Sequence, residues 1–380
     1  MRINLKFKLP ALPILAALFL TCLLLSGCLP IHQYSVRPTS FSANSVPSTN
    51  DPTRFNGLAT QLTEAATNGC TLRLLVVHGM GIQNPGYSTG LVNSVASQLN
   101  VNFVSESSQT NYHGHDYSVL TIRNFASGHA RLCVYELTWS PITRPIKASQ
   151  FYLDYQMPLV MSRQIINNDL KTNLIDNALS DVVLYVGQYR PHLQRPIIDA
   201  ITNMVSDSGT NNDPIAILTH SLASYMVIDT LKTMADQTTA QKYAAHVNQI
   251  FMLANQLPIL ELSDRTNFDV PSPGIMAGFF KLREDGHQHH MRNKPRHALE
   301  IVAFSDPNDL LSFALRQPDI DDGMHTGITV HGFNVKYTDE HWSILGIVSS
   351  PENAHVNWWT DFRVPGFLAN GLDTTAAEAP

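Results

Sequence analysis

Residues 213–224 have the sequence DPIAILTHSLAS, and the hydrophobic pattern changes within this stretch. Ile215 to Leu218 contains no polar residue, which is typical of a strand buried on both faces in a parallel sheet. Beyond Ser221 the apolar residues recur at the spacing of a helix, at Leu222, Met226, Val227, Leu231 and Met234. The pattern therefore predicts a buried strand that becomes a helix at Ser221.

A serine at the turn from a strand into a helix has the geometry of a nucleophile elbow. Such a turn lifts the hydroxyl above the sheet, and it directs the free N–H groups and the positive dipole end of the helix at an anion formed there. The usual pattern is G-x-S-x-G, from which this chain departs mildly at Ala223 and more strongly at the β-branched Thr219. The alternative is a strand and a helix for which Ser221 is only the cap.

A glycine-rich turn follows an earlier buried strand. Residues 71–77, TLRLLVV, predict this strand, and they lead directly into HGMG at residues 78–81. The glycines let the backbone turn so that a main-chain N–H, that of Met80, points into a site above the sheet. An ordinary glycine turn is the alternative, but this one lies upstream of the strand, serine and helix described above. Residues 87–99 predict the helix that follows.

Two aspartates, Asp306 and Asp309, follow the strand predicted over residues 299–304. Asp309 precedes an apolar pair and is the preferred acid, at a position from which it could orient a histidine. Asp306 is the alternative, although its place beside Pro307 favours a role in shaping the turn.

Two histidines, His341 and His355, follow the last predicted strand, residues 328–337. His355 is preferred as the base because it leads into an aromatic-rich segment, and His341 is the second choice. Further strands are predicted over residues 117–123, 131–137 and 249–253.

Two long stretches between these strands have other patterns. Residues 146–205 are mostly helical in pattern, which predicts either a helical cap or insertion over about 140–210 or extended crossover helices packed on the sheet face. Residues 268–297 predict a surface loop. That loop contains His287, His289, His290 and His297, but no cysteine or carboxylate spacing supports a metal site there.

Together these motifs resemble the serine hydrolases of the α/β-hydrolase superfamily, of the lipase and esterase kind. The resemblance covers roughly residues 71–368, with serine, acid and histidine in the chain order of that fold. It implies an α/β domain whose mostly parallel sheet has helices on both faces and a helical cap or insertion. The site is then expected at the carboxyl edge of the strands.

The resemblance also implies roles for particular residues. Ser221 is expected to be the nucleophile, His355 its base and Asp309 the acid, with the N–H groups of Met80 and Leu222 as the oxyanion hole. No metal and no organic cofactor are expected. The implied activity is the hydrolysis of carboxylic esters, lipid esters among them, through an acyl-enzyme. An acyltransferase with the same triad and an inactive hydrolase fold that serves as an envelope scaffold or binding lipoprotein are the alternatives.

The N-terminus resembles the signal peptide of bacterial lipoproteins. A basic start is followed by the apolar residues 10–25 and by Leu25-Ser26-Gly27-Cys28, a lipobox pattern. The resemblance implies cleavage before Cys28 and several acyl chains on that residue, which would anchor the protein stably. Leu29 in place of an aspartate favours the outer membrane, facing the periplasm or the cell surface. An uncleaved signal anchor is the alternative.

The predicted organisation is a signal peptide over residues 1–27, a tether over 28–55, one hydrolase domain over 56–370 and a tail over 371–380. The formal net charge is −6, and the predicted signal peptide removes basic residues only, so an acidic chain remains. With no basic run, such a chain is a poor candidate for nucleic-acid binding. The expected partners are an ester or lipid substrate and the bacterial membrane. Cys70 and Cys133 are expected to be buried free thiols, with a disulfide as the alternative.

Overall fold

A nine-stranded sheet forms the centre of the structure. The computed structural model describes residues 37–42, 54–152, 170–207, 212–264, 274–291, 298–306, 309–313, 315, 328–335, 355 and 357–373. In chain order the strands are β1 (Arg37–Ser42), β2 (Arg54–Asn56), β3 (Leu72–Val77), β4 (Asn102–His113), β5 (Asp116–Ser127), β6 (Ala130–Thr138), β7 (Ile215–His220), β8 (Val247–Leu253), β9 (Leu299–Ser305), β10 (Ile328–Asn334) and β11 (Gly371–Asp373).

The sheet is mostly parallel. Its order is β1-β10-β9-β8-β7-β3-β6-β5-β4, and the neighbours from β10 to β6 all pair in parallel. β1 pairs antiparallel with β10 at one edge, and the hairpin of β4 and β5 adds antiparallel pairs at the other. Every residue of β3, β7 and β8 is buried, as their mostly apolar sequences predict for central parallel strands.

Helices cover both faces of this sheet. They are α1 (Leu58–Thr67), α2 (Thr89–Gln98), α3 (Arg144–Gln150), α4 (Ser180–Val186), α5 (Arg190–Ser206), α6 (Ala223–Thr233), α7 (Thr238–His246), α8 (Leu257–Leu260), α9 (Gly274–His290) and α10 (Val364–Asn370). A π-helical segment, Leu170–Leu179, precedes α4. Among the described residues there are also 3₁₀ turns at Ser140–Ile142, Glu261–Asp264 and Asn357–Trp359.

Alternation along the central strands divides the apolar interior into two cores. In β3, Leu74 and Val76 face the core beneath α1, α2 and α10, whereas Leu75 and Val77 face the core beneath α5, α6, α7 and α9. Successive side chains of a strand point to opposite faces, so one apolar strand supplies both cores. The α/β fold class predicted from the sequence, a mostly parallel sheet with helices on both faces, is confirmed.

The chain reverses its direction across the sheet between β3 and β7. From β3 it runs by way of the β4–β5 hairpin to β6 on one side, and from β7 it runs to β8 on the other. In open α/β sheets a ligand binds beyond the carboxyl ends of the strands at such a switch point. The turns that follow β3 and β7 contain HGMG and Ser221, so the topology brings the two sequence motifs together.

One prediction about an individual stretch is corrected by the structure. Residues 268–297 were expected to form a loop, but Gly274–His290 is the helix α9, and Phe279 and Leu282 pack within the core. The apolar spacing of its first half is helical, whereas the polar, histidine-rich second half obscures that pattern. His287, His289 and His290 lie in the last turns of this helix, and His297 lies outside the described residues.

The fold extends beyond the bounds of the predicted hydrolase domain. β1 lies within the stretch expected to be a tether, and β11 pairs with β2 in a small ribbon, so the fold uses residues on both sides of the expected domain. Within the predicted insertion, α5 packs its apolar side on the sheet face, which is the crossover-helix alternative. Cys70 and Cys133 are buried, and no disulfide joins them. No helix in the described ranges is long and apolar enough to cross a membrane.

Candidate active site

Ser221 forms a strained turn between β7 and α6. Its φ angle is +55°, a left-handed conformation that costs a residue with a side chain on the order of 1–2 kcal/mol. The turn is held by the Ser221 N–H, which donates to the carbonyl of Leu253 over 2.8 Å. Such strain persists only where the surrounding structure fixes it, and it is frequent at functional sites.

Gly79 allows HGMG to approach this turn. A Cβ atom on Gly79 would lie 2.5 Å from the Cβ of Ser221 and 2.7 Å from the carbonyl oxygen of His220. Any side chain would therefore force the two turns apart. The glycine that the sequence suggested for a backbone turn is needed here for close contact with the elbow.

Ser221, His355 and Asp309 form a chain of hydrogen bonds. The Oγ of Ser221 lies 2.7 Å from Nε2 of His355, and Nδ1 of His355 lies 2.8 Å from Oδ2 of Asp309. A carboxylate only accepts, so Nδ1 carries the proton and Nε2 is free to accept the serine hydroxyl. All three residues are buried, and Ser221 has no exposed surface.

Asp309 is the carboxylate that accepts a hydrogen bond from His355, and two further hydrogen bonds fix its own position. Its second oxygen, Oδ1, accepts from the N–H of Leu311 over 2.9 Å, and its N–H donates to the carbonyl of Asp306 over 3.0 Å. Asp306 thus contributes its backbone to the turn that carries Asp309. His341, the second choice for the base, lies outside the described residues.

His78 fixes the peptide plane before Met80. The N–H of Trp139 lies 3.1 Å from Nε2 of His78, so this nitrogen accepts, and Nδ1 donates to the carbonyl of Gly79 over 2.7 Å. Burial lowers the pKa of His78 to about 3, so the ring is neutral. Because the C=O and N–H of a trans peptide point in opposite directions, the Met80 N–H points away from His78.

Met80 and Leu222 present two main-chain donors at these turns. Neither N–H donates a hydrogen bond to another residue of the described ranges. Leu222 stands at the start of α6, where backbone N–H groups lack helical partners. Two donors without partners among the described residues, at the turns that hold HGMG and Ser221, are the arrangement that an oxyanion requires.

His220 ties the loop of His355 to the strand of Ser221, a role that the sequence did not suggest. Its Nε2 lies 2.7 Å from the carbonyl oxygen of His355, to which it donates. Its ring packs against the rings of His355 and Trp359. Burial, followed by the nearby His355, lowers the pKa of His220 to about 3. Only its position beside Ser221 in the sequence hints at such a role.

These two neutral histidines predict loss of stability in acid. Their pKa is 6.5 in the unfolded chain and about 3 in the fold, so below pH 6.5 the unfolded state binds protons that the folded state does not. Between pH 7 and pH 5 each should lower the free energy of unfolding by roughly 2 kcal/mol. Urea unfolding at both pH values measures this fall. His220→Gln should remove the contribution of His220, which is about half of the fall caused by the two histidines. An unchanged fall would show that His220 is not buried and neutral.

Comparisons with known proteins add little to this geometry. No family model matches the chain, and no curated protein matches it. Among solved structures, the chain is similar to acetyl xylan esterase 1 from Thermoanaerobacterium sp. JW/SL YS485, with a TM-score of 0.20 and 7% identity, over 74% of this chain and 93% of that chain. Within the described residues, no group of three or more His, Cys, Asp or Glu side chains could hold a metal ion.

Proposed function

We propose that this protein is a serine hydrolase that cleaves carboxylic esters, with lipid esters as the favoured natural class. The observation that carries the proposal is the hydrogen-bonded series of Ser221, His355 and Asp309 at the switch point of the sheet. A serine hydroxyl is a weak nucleophile at neutral pH, and it gains reactivity from a base held in the correct tautomer. The carboxylate of Asp309 holds His355 in that tautomer.

The first half of the reaction forms an acyl-enzyme. The Oγ of Ser221 attacks the ester carbonyl while Nε2 of His355 takes its proton, and the same proton then passes to the departing alcohol. The tetrahedral oxyanion accepts hydrogen bonds from the N–H groups of Met80 and Leu222. Loss of one such donor typically costs about 3 kcal/mol of transition-state stabilisation.

The second half releases the acid. Water attacks the acyl carbonyl, His355 takes the proton from water, and Ser221 leaves with that proton restored. The buried surroundings of the three residues strengthen each electrostatic contact, because water is excluded from them.

A fluorophosphonate probe tests the proposal, because it reacts with an activated serine whatever the natural substrate is. We expect the folded protein to be labelled at Ser221, as located by mass spectrometry, and to hydrolyse short-chain p-nitrophenyl esters. Heat-denatured protein serves as the negative control. A folded protein that neither takes the probe nor hydrolyses the esters would overturn the proposal in favour of an inactive scaffold.

We propose further that the enzyme is a lipoprotein anchored in the cell envelope through Cys28, on the outer membrane. The lipobox pattern over residues 25–28 supports this proposal, and these residues lie outside those that the structure describes. The anchor would hold the enzyme at a lipid surface, where ester-linked acyl chains are abundant.

Cys28→Ser should abolish lipidation, because the thiol that carries the diacylglyceryl group is gone. In bacteria fed a labelled fatty acid, we expect wild-type protein to carry the label in the membrane fraction and the variant to lack it. Cys22→Ser, in the preceding apolar run, is the matched control and should leave labelling unchanged. A labelled, membrane-bound Cys28→Ser protein would contradict the anchor.

A further inference from the structure

A buried ion pair joins two helices of the segment between β6 and β7. Nζ of Lys147, in α3, lies 2.7 Å from Oδ1 of Asp181, in α4, and the two side chains are 3% and 0% exposed. Lys147 also donates to the carbonyl of Asn177 over 2.7 Å. Because removing two charges from water is expensive, a buried pair is weak evidence of a gain in stability. Its position in the fold suggests another use.

Asp181 also binds the backbone of the HGMG turn. Its Oδ2 accepts from the N–H of Gly81 over 2.7 Å. Gly81 has a φ angle of +92°, which favours glycine, and it directly follows Met80. The Gly81 N–H therefore points towards the helical segment, and the carbonyl of Met80 points the opposite way.

The peptide planes on both sides of Met80 are thus fixed by side chains. His78 holds the carbonyl of Gly79, and Asp181 holds the N–H of Gly81. Met80 has little freedom to rotate between these two points, so the direction of its own N–H is set. A hydrogen bond to a charged acceptor is stronger than one to a neutral acceptor. Lys147 balances the charge that this acceptor brings into the interior.

We infer that Asp181, neutralised by Lys147, is a positioning residue that aims the Met80 N–H at the oxyanion. The inference rests on the proposed function, and it makes the helical segment between β6 and β7 part of the catalytic geometry. In this interpretation the oxygen of Asp181 that accepts from Gly81 serves catalysis. Lys147 only balances the charge of that buried carboxylate.

A pair of double variants separates the two roles. Lys147→Met/Asp181→Asn removes both charges but keeps an amide oxygen for the Gly81 N–H. Lys147→Met/Asp181→Leu removes the same charges and the acceptor, with a side chain of similar size. We expect the first to retain kcat within about 3-fold of wild type, as a rescue by the conservative amide. The second should lose roughly 10- to 100-fold in kcat with little change in KM, because the donor acts on the transition state.

The affinity of a tetrahedral boronate inhibitor provides a second measurement. A residue with a purely structural role would not change this affinity. Boronate affinity should fall in the leucine variant in step with kcat and be kept in the asparagine variant. Asp213→Asn is the control, because Asp213 forms a buried pair with Arg73 over 2.9 Å at the opposite end of β3. That change should lower the melting temperature and leave kcat and boronate affinity unchanged.

The outcomes distinguish the inference from the function on which it rests. If wild type hydrolyses esters and the two double variants have equal kcat and equal boronate affinity, Asp181 is not a positioning residue. If folded wild type has no activity, the proposed function fails and the inference fails with it. Should the leucine variant not fold, Lys147→Met/Asp181→Ala takes its place, and activity equal to that of the asparagine variant again overturns the inference.

Discussion

Ser221→Ala is expected to lower kcat/KM for a short-chain ester by about 10⁵- to 10⁶-fold, because the members of a catalytic triad act as a unit. The hydroxyl that is lost donates to His355 over 2.7 Å and is the proposed nucleophile. The free energy of unfolding should change by no more than about 1 kcal/mol, since one small group is removed and the backbone is unchanged. Ester hydrolysis and urea unfolding of the same preparations measure both quantities.

His355→Ala provides the companion measurement. We expect a loss of similar size, and the double variant with Ser221→Ala should be hardly worse than either single variant. The histidine variant leaves the buried Asp309 without its partner, so its stability must be measured beside its rate. Single variants that each keep near-normal activity would remove Ser221 and His355 from the proposed mechanism.

The strands and turns that build the site were predictable because their patterns are local. The apolar runs of β3 and β7 indicate central parallel strands, and Ser221 stands where the period changes from strand to helix. The order of the serine, the acid and the histidine along the chain was also predicted from the sequence. The sequence did not establish that Gly79 contacts Ser221, since that contact depends on β3 and β7 being neighbours.

The contacts that fix the site were not predictable, because they join residues that are distant in sequence. Lys147 and Asp181 lie in a stretch whose helical pattern is clear, yet nothing local pairs them or points Asp181 at Gly81. His78 and His220 looked like parts of motifs, and only tertiary packing shows that each holds a backbone carbonyl. Periodicity describes which side of a helix is buried, but it says nothing about the partner of a buried polar group.

Helix α9 illustrates the opposite error, in which local composition hides a clear structure. Its first turns bury Ile275, Met276, Phe279 and Leu282, at the spacing of one helix face. The histidines and charged residues that follow raise the polarity of the whole stretch, so an average over it predicts a loop. The helix nevertheless forms because a few well-spaced apolar residues gain enough from burial against α6 and α7.

Asp309→Asn is expected to lower kcat by about 10⁴-fold while the protein stays folded, because an amide no longer imposes the productive tautomer on the base. The carboxylate accepts from Nδ1 of His355 over 2.8 Å, which leaves Nε2 free to take the serine proton. An amide can instead donate to Nδ1, which moves the histidine proton to Nε2 and blocks proton transfer from Ser221. It also offers no charge to balance the imidazolium that forms during the reaction.

Asp306→Asn is the matched control, since it makes the same chemical change three residues away in the same turn. Asp306 is buried, and its carbonyl accepts the N–H of Asp309, so the fold depends on this residue through its backbone and its packing. We expect Asp306→Asn to lower the free energy of unfolding, by about 1–3 kcal/mol for a buried polar group whose partners are disturbed, and to keep most of kcat. Steady-state ester hydrolysis and urea unfolding of both variants separate the two effects. A larger loss of kcat in Asp306→Asn than in Asp309→Asn would transfer the role of the acid to Asp306. It would mean that the carboxylate of Asp306, and not that of Asp309, contacts His355 in the working enzyme.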